Sequence, residues 1–203
     1  MTKHKNRLAK RTAKDVGAEI IGAMDEEFHD APDRILAIVG AAYLDSLLEE
    51  LLRAIFIEDR EEADRLLGFD RPLGSNGSRY QLAYCLGLIT EHQRDDLKMI
   101  AKIRNALAHR FDIQSFSQTE PSKFIEKLHV GKELQAIAES LARATNDQEQ
   151  QRQFREIGVS GRQKFQDTVR NLFANLLRRL DSVASPNERT WYPKLSNGVA
   201  VEQ

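Results

Sequence analysis

The segment RILAIVGAAYLDSLLEELLRAIFI, residues 34–57, decides the fold class. Pro32 stands just ahead of it, where a first helical turn tolerates proline, and Gly40 is its only helix-weakening residue. Apolar side chains surround most of its circumference, which marks a central, buried helix from about residue 32 to 57. Two acids interrupt the pattern. Asp45 and Glu49 lie about 40° apart at 100° per residue, on a face shared with Ile38, Leu52 and Phe56. Carboxylates in such surroundings require a cation or hydrogen-bond donors nearby.

Working outward, the short helical stretch REEADRLLG is followed by a Gly/Ser/Pro-rich turn, FDRPLGSNGS, and then by RYQLAYCLGLI, a helix of about three turns. The turn lacks the spacing of a nucleotide P-loop, so it reads as a turn and cap. Thr90 with Gln93 resembles a capping box opening a helix over 90–110. Short helices are expected at 121–127 and 132–144, whereas NDQEQQRQFREIGVSG is polar and weakly periodic. A last amphipathic helix, about 160–184, carries Phe165, Val169, Leu172, Phe173, Leu176, Leu177 and Leu180. No alternating run suggests a strand. The expectation is an all-α protein, a single helical bundle over 31–184.

The flanks differ from this core. Residues 1–14 hold six Lys/Arg and no acid, and an acidic stretch follows with a short helix expected near 15–28. Residues 1–30 read as a partly disordered basic arm and acidic lead-in. Lys3, Lys5, Arg7, Lys10 and Arg11 are the candidate phosphate contacts, and a solubilising tail is the plainer reading. Residues 185–203 read as a flexible tail.

Composition sets further bounds. The chain has 203 residues and a net charge of −1, so no global field draws it to nucleic acid or membrane. Cys85 is the only cysteine, which excludes an intrachain disulfide and fits a reducing cytoplasm; inside LAYCLGLI it reads as a small core residue. No apolar run approaches the length of a membrane span, and no secretory signal is expected. DEEFHD, 25–30, offers acids and one histidine but no ligand spacing, so no metal and no cofactor are expected. His92 and His129 lie in polar surroundings and read as exposed.

The stretch MIAKIRNALAHRF, 99–111, holds the chemistry. Leu97, Ile100, Ile103, Leu107 and Phe111 cluster on one side of their helix, and Arg104 falls on the same side. One reading has Arg104 partly buried against Asp45 and Glu49, with Asn105 and His109 bonding backbone near the helix end. The other is catalytic. Metal-independent RNA cleavage needs proton transfer near neutral pH and a cation on the phosphorane, which His109 and Arg104 supply in type, Asn105 supporting the geometry and Asp45 or Glu49 orienting the arginine. Arg104 and His109 point about 140° apart on a straight helix, so they meet only across a bend or a homodimer.

The segments AAYLDSLLEELL, RPLGSNGSRYQLAYCLGLI and DDLKMIAKIRNALAHRF together closely resemble the mannitol operon repressor family of bacterial regulators, over about residues 35–113. The most specific part is Pro72-Leu73-Gly74-Ser75 followed by Ser78-Arg79, Leu82, Tyr84 and Gly87-Leu88-Ile89. The resemblance implies an all-helical transcriptional regulator without an obvious DNA-binding motif, acting through a protein partner as readily as through nucleic acid. Arg104-Asn105…His109 also resembles the R-x(4–6)-H signature of HEPN domains, helical bundles in which this pair forms a ribonuclease site between subunits or survives in binding modules.

Overall fold

The computed structural model describes residues 13–56, 59–156, 160–183, 195–196 and 199–200. Nine helices lie among them: α1 (Ala13–His29), α2 (Asp33–Ile55), α3 (Arg60–Leu67), α4 (Asn76–Cys85), α5 (Glu91–His109), α6 (Thr119–Ile125), α7 (His129–Ala144), α8 (Gln148–Glu156) and α9 (Gly161–Ser182). Among the described residues the one extended pairing is the two-residue antiparallel match of Leu195–Ser196 with Val199–Ala200. The protein is all-α, as its periodicity predicts. No helix among the described residues is long and apolar enough to cross a membrane. The basic residues Lys3, Lys5, Arg7, Lys10 and Arg11, and most of the expected tail, lie outside the described residues.

α2 is the axis of the bundle, packing on α9, α5 and α4. Leu36, Ala37, Leu44, Leu48, Leu51 and Leu52 are almost wholly buried there. Gly40 lets α9 approach closely, since a Cβ at this position would lie 3.3 Å from Val169 Cγ2. Beside it, Asp33 ties three parts together: Oδ1 accepts from Arg162 at 2.7 Å, and Oδ2 accepts from Phe116 N at 2.9 Å. Arg34 donates to the carbonyls of Arg110 and Ile113 at 2.7 and 2.8 Å, placing the start of α2 beside the end of α5. The capping box expected at Thr90 and Gln93 is present.

The structure departs from the sequence reading in several places. The short helix expected near 15–28 is present as α1, but it is longer than expected and its end enters the core through Met24 and Phe28. The polar stretch after residue 145 contains α8, opened by Asp147, whose Oδ1 accepts from the backbone N–H groups of Glu149 and Gln150. Cys85 is exposed rather than core, because α4 buries the face that carries Arg79 and Ala83. Phe111 is 86% exposed: the chain leaves the helix at Arg110, so the residue after it no longer follows the helical phase. His129 is half-buried, not exposed. Its backbone N–H and Nδ1 meet a buried Asp96 at 2.7 and 3.0 Å, and its ring stacks on His92 at 4.3 Å.

The largest correction concerns Asp45 and Glu49. Their cation is Arg79 of α4, not Arg104 of α5. Arg79 Nη1 meets Asp45 Oδ2 and Nη2 meets Glu49 Oε2, both at 2.8 Å, with the arginine side chain only 8% exposed. The same guanidinium donates to Leu73 O from Nε and to Leu67 O from Nη2. It thereby fixes the 68–75 turn to α2, using the geometry of a planar fork. Breaking a buried pair leaves uncompensated charge, so Arg79→Ala should cost about 3–5 kcal/mol in urea unfolding. Arg79→Lys, which keeps the charge but loses the fork, should recover only part of that loss.

Candidate functional site

With Arg79 holding the turn, a groove opens between α2, α4 and α5. Its volume is about 990 Å³. Its apolar lining is aliphatic and mostly small: Ile38, Ala41 and Ala42 from α2, and Ala101 from α5. Lys98, Lys102, Arg104 and Asn105 line it from α5, while Phe69, Arg71 and Tyr80 contribute from the turn and α4. The turn itself is tightly drawn. A Cβ at Gly74 would stand 2.4 Å from Gly68 O, and Asp70 takes a left-handed φ of 57° that acidic turn residues tolerate. Ser75 then caps α4 by accepting from Ser78 N at 3.1 Å.

Arg104 and Asn105 lie together on this groove, fully on the surface, with Arg104 Nη1 donating to Asn105 Oδ1 at 2.8 Å. Arg104 was expected to be partly buried; it is exposed although it lies about 20° from buried Leu97, because two turns further along α5 that side faces the groove. His109 is also exposed, in the last turn of α5, and does not line the groove. The structure therefore brings Arg104 and Asn105 together and leaves His109 apart. Asp45 lines the groove, but both it and Glu49 are engaged by Arg79, so neither orients Arg104.

The electrostatics divide into a neutralised part and an open part. Glu49 also accepts from Arg53 at 2.8 Å, and Arg53 reaches Asp64 at 2.7 Å, so a chain of charges runs from α4 across α2 to α3. The Glu49 hydrogen bond, then Asp64, holds the Arg53 guanidinium above its ordinary range against the opposing effect of burial. Immediately after His109, Arg110 is paired with Asp112 and Glu120, each at 2.7 Å, and the arginine holds the Asp112 carboxyl below its usual range. By contrast, Arg71, Lys98, Lys102 and Arg104 have no carboxylate within ion-pair distance among the described residues. Lys102 instead lies 5.4 Å from the Phe124 ring centre.

Arg79, Lys98, Lys102 and Phe69 were not singled out as functional residues from their sequence positions. For Arg79 a signal existed: it shares a helical face with Ala83, so its charge had to enter the protein and find acids. For the lysines none existed, because an exposed lysine becomes notable only once its neighbours in space are known to lack carboxylates. No group of three or more His, Cys, Asp or Glu side chains among the described residues is placed to hold a metal ion.

No curated protein matches the chain. Its fold is similar to that of two solved structures. One is MtlR of Escherichia coli in a complex with HPr, with a TM-score of 0.50 and 19% identity over 81% of this chain and 98% of that one. The other is YggD of Shigella flexneri, described as a possible transcriptional regulator, with a TM-score of 0.51 and 14% identity over the same shares. At such identities the likeness concerns the fold alone. The family model described as the mannitol repressor matches residues 27–180, which runs from the end of α1 to the last turn of α9. By that match the chain belongs to the mannitol repressor (MtlR) family.

Proposed function

We propose that this protein is a bacterial, cytoplasmic regulator that controls gene expression by docking a protein partner, without a cofactor. The observation that carries the reading is the form of the groove. It is open, partly aliphatic and cationic along one side, and His109, the one candidate proton carrier, is absent from its lining. Such a surface suits recognition, where shape and charge complementarity select a partner. Membership of a family of repressors supports it, as does the complex that the E. coli relative forms with HPr.

A test follows from that complex. Isothermal titration of the full chain with HPr from the same organism should give saturable binding at one partner per chain. Absence of heat at any ratio, together with RNA cleavage by the protein, would overturn the reading.

A second reading is favoured by one observation: Arg104 is exposed beside Asn105 and held by no carboxylate among the described residues. This leaves the arginine free to stabilise a phosphorane in a metal-independent ribonuclease, with His109 as general acid and base. Because about 140° separates the two and α5 runs as one helix through both, this chemistry needs a homodimer that brings Arg104 of one copy to His109 of the other. Light scattering then gives twice the 23.1 kDa chain mass. A monomer at high concentration removes the site. Arg104→Ala should move the melting temperature by no more than about 2 °C, since an exposed side chain is lost. In EDTA, cleavage by the wild type but not by His109→Ala would establish the enzyme.

A further inference from the structure

Most arginines of the bundle are neutralised where they stand. Arg53, Arg65, Arg94, Arg110, Arg162 and Arg170 each meet a carboxylate within 3.1 Å. Arg71, Lys98, Lys102 and Arg104 do not, and all four line the same groove. Of the two acids that line it, Asp45 is held by Arg79, and only Asp70 remains. Four cations without a carboxylate partner among the described residues thus share one concave surface, although Arg178 and Arg179, also without one, line a smaller groove beside Gly87–Thr90. Concave walls of low dielectric focus such a field, so the surface selects an anionic occupant.

The apolar lining decides what kind of anion. Ile38, Ala41, Ala42 and Ala101 offer aliphatic contact and, being mostly small, admit another backbone closely. A volume of about 990 Å³ stands at the upper end of small-molecule sites and suits several side chains at once. A nucleic-acid strand needs stacking platforms along its path. Here the rings are Phe69 and Tyr80 alone, too few to make such a path. Phe69 is 90% exposed, as a side chain that packs against an arriving partner would be.

We propose that this groove seats an acidic amphipathic helix of the protein partner. Its apolar side chains rest on Ile38, Ala42 and Ala101, and its carboxylates pair with Lys98, Lys102 and Arg104. The proposal rests on the protein-contact reading above and names the surface and the chemistry through which that contact is made.

The probe is a capped, fluorescein-labelled helical peptide with leucine at i, i+3, i+4 and i+7 and glutamate elsewhere. Its counterpart has lysine in place of every glutamate, and a labelled oligouridine serves as the RNA arm. Fluorescence anisotropy is read with the full chain, with Lys98→Glu/Lys102→Glu, and with Ala42→Trp. All three positions are exposed, and circular dichroism confirms that each variant is folded. The glutamate peptide should bind the wild type with a salt-weakened Kd, about tenfold weaker in both variants. The lysine peptide should gain affinity for the charge-reversed protein. Equal binding of the two peptides to the wild type, or no effect of either variant, overturns the proposal. If HPr binds the wild type and both variants alike, the groove proposal falls while the protein-contact reading stands. Tighter binding of oligouridine than of the glutamate peptide, lost in the charge-reversed variant, overturns both.

Discussion

The guanidinium of Arg79 is the interaction on which the functional surface depends. It is held between Asp45 and Glu49 at 2.8 Å each, and it also donates to the carbonyls of Leu67 and Leu73. A planar fork can serve four acceptors from three directions, which a lysine cannot do. The result is a hydrogen-bonded link between the end of α3, the turn that follows it, α4 and the middle of α2. Ion pairs of this kind offset the desolvation of their charges only when geometry and accessory hydrogen bonds are good. Here they are good on every nitrogen. The turn that carries Phe69 and Arg71 consequently projects beside the groove instead of collapsing into it.

This arrangement explains what was legible in the sequence and what was not. The need was legible: two carboxylates on an apolar face of α2 had to meet a cation. The identity of that cation was not, because helical phase says which way a side chain points and nothing about which helix faces it. Arg79 and Arg104 both sit on or beside apolar stripes of their own helices. Only the packing of α4 against α2 brings Arg79 within reach, while Arg104, close in phase to buried Leu97, lies two turns further along α5, where that side faces the groove. The helices with strong local signals, such as α2, α5 with its Thr90–Gln93 box, and α9, could be read from local chemistry alone.

Other misreadings have local causes. Cys85 and Phe111 are apolar residues in apolar-looking stretches, yet Cys85 lies off the Arg79–Ala83 face that α4 buries, and Phe111 lies past the end of α5, where the periodicity that assigns a face is lost. His129 errs in the opposite direction. Its surroundings in sequence are polar, but it starts α7 directly over the buried Asp96, which accepts from two backbone N–H groups of that first turn at 2.7 and 3.4 Å. Asp96 thus acts as a cap supplied from another helix, thirty-three residues away in the chain. Capping from within a segment leaves a sequence signature, whereas capping from across the bundle leaves none.

The same distinction bears on function. RNALAH drew attention because its residue types match a known chemistry, and the structure keeps Arg104 and Asn105 at the surface, where chemistry or recognition can use them. What surrounds them was invisible: two lysines, each an ordinary solvated residue in isolation, become a feature because every nearby acid but Asp70 is committed elsewhere. Asp45 is committed to Arg79, Asp95 and Glu91 to Arg94, and Asp112 and Glu120 to Arg110. The positive character of the groove is therefore produced less by the cations that line it than by the pairings that withdraw their neighbours' negative charge. The fork that shapes the groove is also one of the pairings that leaves it charged, so shape and field on this surface have a common origin in Arg79.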